Sequence, residues 1–347
     1  MAGKKVGIRE ISERAGVAIS TVSHVLNGTA PISDEVRTRV LDAARETGYL
    51  ARRRAKGAIA ALSRVLVAAP ADALPQHDVN LVSWTILSAL SRECETRGLR
   101  LVPHALEPGG PPLTLIATAR EIGADGIIVI NDDSGPLLQA IDSSGLPAVL
   151  INGEDPDMHV DSVTAGNRFG ARKATNALIA LGHRRVLHLT WSGRKTVQRR
   201  LDGFRDAFAE AGLSSEDAVV LLAEGFTPAC GEAAITDWLA RHPDLDGVTA
   251  IFCAADNLAF GAMQALKAAG IAVPADMSVL GFDGVALGEM HSPQLTTVVV
   301  PLAEFGAEAL NLLEQRVLSG RLPRAAHRVE LGCVLVERGS HAPPRRP

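Results

Sequence analysis

The 347-residue sequence is poor in aromatic residues and cysteine, and it has no long apolar run. Aromatic residues make up 3% of the chain, and the four cysteines, Cys94, Cys230, Cys253 and Cys333, form no CxxC pair. Such scattered cysteines exclude a disulfide scaffold and are typical of small buried hydrophobic side chains in a reducing compartment. No apolar run approaches the ~18 residues of a membrane span, and the N-terminal MAGKK lacks the apolar core of a signal peptide. These absences predict a cytoplasmic protein without membrane contact.

Motifs of catalysis are also missing. The sequence contains no GxxxxGK[ST] and no GxSxG, and Gly281, Gly284 and Gly288 do not form a GxGxxG. His183 and His188 flank an expected strand instead of sharing a helix face at i, i+4, which argues against a metal pair. The sequence therefore predicts a protein that is not an enzyme and holds no cofactor or metal.

The charge is unevenly distributed. The net charge is −4, which by itself argues against a nucleic-acid binder. Residues 1–64, however, carry 12 Lys or Arg against 6 Asp or Glu, whereas the remainder carries 23 against 33. A basic head on an acidic body indicates local contact with phosphate. The length suits a small headpiece and two lobes, and 47% hydrophobic residues are enough for sizeable cores.

Residues 6–28 predict two short helices joined by a tight turn at Gly16. In the first helix, Ile8, Ile11 and Ala15 share one face, and in the second, Val22, Val25 and Leu26 do so. Short polar side chains are left pointing outward on the second helix. The pattern is typical of a helix-turn-helix, whose second helix can lie in the DNA major groove. A third helix should begin near Ser33 and brace the other two, with an inward face of Val36, Val40, Ala43 and Ala44.

The segments AGVAISTVSHVLNG and PISDEVRTRVLDAARETGY resemble the headpiece of the LacI/GalR family of bacterial transcription repressors. The resemblance implies a DNA-binding headpiece over residues 1–49. It implies base contacts from Ile19, Ser20 and His24, with Thr21, Ser23 and Asn27 nearer the phosphates. Gly7 and Ala18 stand where the family commonly has a capping Thr and Ser, and an Ala at such a position costs about 1 kcal/mol.

Residues 50–62 form a basic linker. Arg52, Arg53, Arg54 and Lys56 suit phosphates or a narrow minor groove. By the family resemblance this linker becomes a helix on DNA and inserts a leucine between base pairs. Ala58 stands where that leucine is expected, so either Ile59 or Leu62 takes the role, or the DNA is bent less. A flexible charged tether is the alternative.

From residue 63 the sequence alternates short β-branched runs with helical stretches, in two rounds, which predicts an α/β body with two parallel sheets flanked by helices. GADGIIVI matches DGVTAIFCAA, and GLPAVLIN matches DMSVLGFD, so two similar lobes with a cleft between them are expected. This architecture resembles the periplasmic-binding-protein-like core of the same family, spanning residues 63–340. By that resemblance lobe one comprises about 63–161 with 292–321, lobe two 162–291 with 322–340, and a Pro-rich tail 341–347.

Ligands bind such sheets beyond the carboxyl ends of the strands. The matching motifs imply an effector site of Trp84, Arg194, Thr196, Arg200, Phe226, Asp256 and Asp283. Phe226 would serve as a stacking platform, and the carboxylates would accept from sugar hydroxyls or a base N–H. Arg200 and Asp283 could instead form a structural ion pair, and Phe226 could be core.

The sequence thus predicts a homodimeric, ligand-responsive repressor of carbohydrate uptake or catabolism genes. It would bind a near-palindromic double-stranded operator and a small, sugar-like effector. A purine or another non-sugar effector is one alternative, and a solute-binding protein without regulatory DNA binding is another. The tail carries no leucine heptad, so dimers are expected rather than tetramers.

Overall fold

The computed structural model describes residues 7–27, 32–47, 49, 62–70, 80–107, 110–319 and 325–345. Three helices form the N-terminal unit: α1 Ile8–Ala15, α2 Ile19–Asn27 and α3 Asp34–Glu46. Gly16 ends α1 in the left-handed region, at φ 63°, where glycine alone avoids a steric penalty. The inward side chains pack into one core of Ile11, Ala15, Val22, Leu26, Val40, Ala43 and Ala44. The predicted helix-turn-helix and its bracing helix are therefore confirmed.

The first lobe is built on a six-stranded sheet whose paired strands are all parallel. Its strands are β1 Arg64–Pro70, β2 Arg100–Leu106, β3 Gly126–Ile130, β4 Ala148–Ile151, β5 Asp161–Ala165 and β11 Arg328–Leu331. Their order is β11-β5-β4-β3-β1-β2. Its helices are α4 Leu81–Thr96, α5 Pro112–Glu121, α6 Gly135–Ser144 and α12 Phe305–Ser319.

The second lobe repeats this plan. Its strands are β6 Val186–Thr190, β7 Ala218–Leu222, β8 Ala250–Cys253, β9 Ser278–Asp283, β10 Thr296–Val299 and β12 Val334–Val336. Their order is β12-β10-β9-β8-β6-β7, and only β12 is antiparallel to its neighbour. Its helices are α7 Asn167–Ala180, α8 Lys195–Glu210, α9 Pro228–Arg241, α10 Asp256–Ala268 and α11 Leu287–Met290, with short 3-10 turns at Ser215–Asp217 and Leu245–Gly247.

The two sheets confirm the predicted duplication. Strands β3 and β8 occupy corresponding places in the two orders, as do β4 and β9, which are the pairs matched in the sequence. Both members of each pair are wholly buried. Runs of apolar residues covered on both faces are what a parallel sheet with flanking helices requires.

The strand pairing corrects the expected division of the lobes at three strands. Strand β5 pairs with β4, and β11 pairs with β5, so both belong to the first sheet, whereas β10 continues the second sheet beside β9. Asp161 of β5 also forms an ion pair of 2.6 Å with Arg316 of α12, which ties the strand to the first lobe. The chain therefore crosses between lobes after residue 165, between β10 and α12, and between β11 and β12.

Two details at the ends of the body differ from the expected boundaries. Residues 341–345 are not a separate tail, because the Ala342 carbonyl accepts hydrogen bonds from Ser278 Oγ and from the His183 ring, each at 2.9 Å. Leu62 is 2% exposed and packs in the core of the first lobe, so it is not available as a wedge between base pairs. Ile59 lies outside the described residues.

Cys94 and Cys253 are buried as expected, whereas Cys230 and Cys333 are only half-buried. All four are free thiols. Burial raises the pKa of the Cys94 thiol to about 11, which makes it a poor nucleophile. No helix in the described part of the chain has the length and apolar character needed to cross a membrane.

Candidate functional site

Helix α2 presents the side chains that the sequence assigns to DNA. Ile19 is 51% exposed, and Ser20 and His24 are also exposed, while Thr21 and Ser23 are half-buried. Asn27 is the last residue of the helix. The opposite face is fixed in the headpiece core through Val22 and Leu26, 0% and 1% exposed. A short helix supported in this way can enter a major groove about 12 Å wide. The basic residues Arg52, Arg53, Arg54 and Lys56 lie outside the described residues.

A cleft lies between the lobes, at the carboxyl ends of strands from both sheets. It contains two adjoining cavities, of about 250 Å³ and about 30 Å³. Both are lined by Asn80, Asn131, Trp191, Arg194 and Phe226, and the smaller one also by Arg200 and Asp283. Four residues predicted for the effector site, Arg194, Arg200, Phe226 and Asp283, therefore lie together here. Their contact with an effector stays a prediction.

Arg200 is held rigidly at the inner end of the cleft. Its Nε donates to Asn167 Oδ1 at 2.8 Å and its Nη1 to Asp283 Oδ1 at 3.0 Å. Nη1 also donates to the Ala254 carbonyl, and the guanidinium lies 3.8 Å from the Phe282 ring centroid. The ion pair considered in the sequence interpretation is present, and it lines the cavity. Such a pair, already fixed in place, presents its remaining edges to a ligand with little loss of side-chain entropy.

Asp256 does not line the cleft. It is 0% exposed, Thr297 Oγ1 lies 2.6 Å from its Oδ1, and its Oδ2 accepts from the Val285 N–H at 2.8 Å. Burial and the nearby Asp283 carboxylate raise the pKa of Asp256 to about 8. Burial also raises the pKa of Asp283, against the opposing effect of Arg200. Of the two carboxyl groups, only Asp283 is paired with an arginine at 3.0 Å, so Asp256 is the one that keeps a proton at neutral pH. Asp256 therefore has a structural role inside the second lobe.

Two other predicted residues lie outside the cavity linings. Thr196 is 0% exposed, and its hydroxyl is buried without a hydrogen-bond partner among the described residues. It occupies the first turn of α8, where the inward face packs on the sheet. Trp84 is 45% exposed on α4, and its neighbours Val82 and Ser83 contact the cavities instead. A helix turns 100° per residue, so the side chain of Trp84, one residue beyond Ser83, lies away from the cleft.

The sequence interpretation missed several residues that line the cleft. Asn131 and Asn152 follow β3 and β4 directly and adopt positive φ angles of 60° and 54°, and Asp283 at the end of β9 has a φ of 118°. Non-glycine residues rarely adopt this conformation, which concentrates at functional sites. An Asn straight after each buried apolar run was the signal that could have found them. The half-buried Asp133 also lines the larger cavity, and burial raises its pKa.

Trp191, also missed, forms an aromatic wall with Phe226. Their ring centroids lie 5.6 Å apart at an angle of 50°. Arg194 lies 5.9 Å from the Trp191 ring centroid and crosses the cleft, donating to Asn131 Oδ1 at 2.8 Å. Asn131 in turn donates to Ser83 Oγ and accepts from Asn152 Nδ2, at 2.6 and 2.7 Å. One polar chain therefore links the two lobes across the cleft.

A further contact, this one ionic, links the lobes outside the two cleft cavities. The carboxylate of Glu154, 3% exposed, lies 3.1 Å from Arg199 of α8 and 3.4 Å from Arg328 of β11. Arg199 belongs to the second lobe, whereas Glu154 and Arg328 belong to the first. The lobe arrangement is thus held by directional contacts that a change in the cleft can disturb.

A larger depression of about 650 Å³ lies away from the cleft, between α7 and the connection from β11 to β12. It is lined by α7 residues, Gly166, Glu210 and the chain from Glu330 to Cys333, and it shares no lining residue with the two cleft cavities. His183 and His188 both bond within the protein, and His188 lies inside β6, not beside it. Burial lowers the pKa of His188 to about 3. Among the described residues, no group of His, Cys, Asp and Glu could hold a metal ion.

Comparison with known protein families gives two matches. Residues 7–51 match the model described as bacterial regulatory proteins, lacI family, and residues 175–341 match the periplasmic binding protein-like domain. The HTH-type transcriptional regulator DegA of Bacillus subtilis is 30% identical over 88% of this chain and 89% of its own. The ribose operon repressor of Haemophilus influenzae is 28% identical over 95% of this chain and 97% of its own.

Among solved structures, the transcriptional regulator CelR–cellobiose complex matches with a TM-score of 0.71 and 27% identity, covering 97% of this chain and 100% of that one. The fold and these matches define a DNA-binding transcription regulator with a helix-turn-helix headpiece and a two-lobed body of the periplasmic-binding-protein type. The chain belongs to the lacI family of bacterial regulatory proteins. Its relatives are transcription regulators, which supports the prediction that it is not an enzyme.

Proposed function

We propose that this regulator is a homodimeric cytoplasmic repressor whose effector is an uncharged sugar bound in the cleft. Binding would alter the angle between the lobes and so the affinity for a near-palindromic operator. The observation that carries the proposal is the composition of the cleft, in which an aromatic wall faces amide and carboxylate groups. Aromatic faces suit the apolar face of a sugar ring, and amides and carboxylates suit its hydroxyl groups.

The charges in the cleft favour an uncharged ligand over a phosphorylated one. Arg194 and Arg200 already donate to oxygen atoms of the chain, and Asp132 and Asp133 line the larger cavity. A phosphate group would have to approach these two carboxylates, which is unfavourable at low dielectric. The names of two relatives point the same way, since one is a ribose operon repressor and the other was solved with cellobiose.

The two cleft cavities are small for a ligand site, which supports a movement of the lobes when the ligand binds. Together they fall just short of the 300–1,000 Å³ typical of ligand pockets. Arg194 and Asn131, which share a hydrogen bond, line both cavities, so we expect a ligand that fills the cleft to change this contact. A coupling of ~1–3 kcal/mol between the cleft and DNA is typical of such systems.

Exposed apolar side chains support a dimer through the β2 and β7 edges of the two sheets. Trp84 and Leu113 lie on the helices before and after β2, and are 45% and 70% exposed. Leu222 ends β7 and is 60% exposed. Strands β2 and β7 are the last strands in the two sheet orders, and large exposed apolar side chains at corresponding sheet edges are typical of an interaction surface. Trp84, which is not in the cleft, would then serve dimerisation.

A thermal-shift screen with uncharged sugars, sugar phosphates and purines tests the effector class. A ligand at 100 times its dissociation constant adds about 2.7 kcal/mol to stability, and we expect an uncharged sugar to do so. A variant carrying Trp191→Ala should lose most of the shift, whereas Phe169→Ala, which removes an exposed aromatic residue outside the cleft, should keep it. A shift only with purines or sugar phosphates would contradict the proposal.

A further inference from the structure

In the part of the chain that the structure describes, the headpiece contacts the first lobe at two places that belong neither to the DNA-reading face nor to the cleft. At the first, Arg37 of α3 donates from Nη2 to Asp125 Oδ1 at 3.0 Å; their side chains are 35% and 11% exposed. At the second, Leu318 in the last turn of α12 packs against the hydrophobic core of the headpiece. A charged contact and an apolar contact therefore act on the same three-helix unit.

Asp125 joins three segments of the chain through one carboxylate. Its Oδ2 accepts hydrogen bonds from the backbone N–H groups of Ser63 and Arg64, at 2.6 and 2.9 Å, and from the Ser63 hydroxyl at 2.9 Å. Ser63 and Arg64 are the residues at which the linker passes into β1, and Asp125 directly precedes β3. Charge-assisted hydrogen bonds of this kind are roughly twice as strong as neutral ones.

We propose that this contact is a docking interface that sets the position of the headpiece on the first lobe, with Asp125 as its positioning residue. Helix α12 supplies a connection between the interface and the lobes. It begins soon after the chain leaves β10 of the second sheet, and its 15 residues span about 22 Å. Its buried Phe305 and Leu313 lie in the first-lobe core, and its Leu318 packs against the headpiece core. A lobe movement that displaces α12 therefore reaches the headpiece through a packed helix.

Hydrogen–deuterium exchange of the full-length, DNA-free protein tests the interface. If docking stabilises the headpiece, Arg37→Gln and Asp125→Asn should each speed amide exchange in α1–α3 about two- to tenfold, the range expected for loss of one partly buried hydrogen-bonded contact. The double variant should exchange no faster than Asp125→Asn alone, because that change already breaks the ion pair that Arg37→Gln removes. Leu318→Ala should speed headpiece exchange independently.

Arg39→Gln is the matched control, since it removes the same charge from an exposed position two residues further along α3. It should leave headpiece exchange as in the unmodified protein. Unchanged exchange in Arg37→Gln would overturn the proposal, as would additive effects of the two single variants. An equal effect of Arg39→Gln would overturn it as well, because the cause would then be the lost headpiece charge. Asp125→Asn should also expose the Ser63 and Arg64 amides, whereas Arg37→Gln should not.

Discussion

Replacing Asp256 with Asn should change how the stability of the second lobe depends on pH. The pKa of Asp256 is raised to about 8, chiefly by burial, from an ordinary value of 3.8. Between these values the folded protein keeps a proton that the unfolded chain releases, so the free energy of unfolding falls as the pH rises. The slope is about 1.4 kcal/mol per pH unit for a single group. The stabilisation that the protonated Asp256 contributes is fully present below its ordinary pKa of 3.8, and it is lost as the pH rises through about 8.

The Asn side chain fits the same bonds. Its carbonyl can accept from the Val285 N–H, and its NH₂ can donate to the Thr297 hydroxyl, which rotates to receive it. Asn does not ionise, so the variant lacks the slope. The difference in unfolding free energy between the two proteins should therefore shift by about 2.7 kcal/mol between pH 5 and pH 7, in favour of the variant.

Chemical denaturation at several pH values, followed by circular dichroism, measures this difference. Asp237→Asn is the control. Asp237 is exposed on α9, so this substitution removes the same charge from the surface. It should change stability by less than about 0.5 kcal/mol at every pH. A difference between Asp256→Asn and the unmodified protein that stays constant from pH 5 to pH 8 would show that Asp256 is ionised in the folded state, and would refute the reasoning.

Three further predictions concern binding and packing. Trp191→Ala should weaken binding of an uncharged sugar by isothermal titration, because the aromatic wall is lost, and unchanged affinity would place the sugar elsewhere. His24→Ala should relax base preference at one position in each half-site by about 1–3 kcal/mol, whereas Arg53→Ala should weaken all duplexes alike and flatten the salt slope by about 1, and equal uniform losses would refute this division. Gly203→Ala should destabilise the second lobe by about 1–3 kcal/mol, because its Cβ would lie 2.0 Å from the Arg168 carbonyl oxygen; a normal melting temperature would contradict this packing.

The features that local pattern determines were predictable from the sequence. The helix faces around Ile11 and Val22 follow from the 3.6-residue period, and the duplicated lobes follow from wholly buried runs such as β3 and β8. Strand β11 was misplaced because a four-residue strand with half-buried residues carries little periodicity, and its sheet is decided by pairing with β5. The pattern of apolar and polar residues along the chain does not determine which strand β11 pairs with.

The cleft was predictable in outline and less so in detail. A polar residue after a buried strand indicates the ligand edge of a sheet, which correctly located Asp283. The same signal misassigned Asp256, because a carboxylate at a strand end can equally turn inward to Thr297. Trp191 was missed because it lies in a loop, where no periodic pattern marks which side chains converge from the opposite lobe.

The most direct test of the account is the affinity of the full-length protein for a duplex that it has itself selected from a random library, measured with and without the sugar found in the thermal screen. Fluorescence anisotropy at low and moderate salt gives both quantities. We expect salt-dependent binding to the selected duplex and a change of about 5- to 150-fold on adding the sugar. No duplex binding at low salt, or sugar binding that leaves the duplex affinity unchanged, would contradict the account.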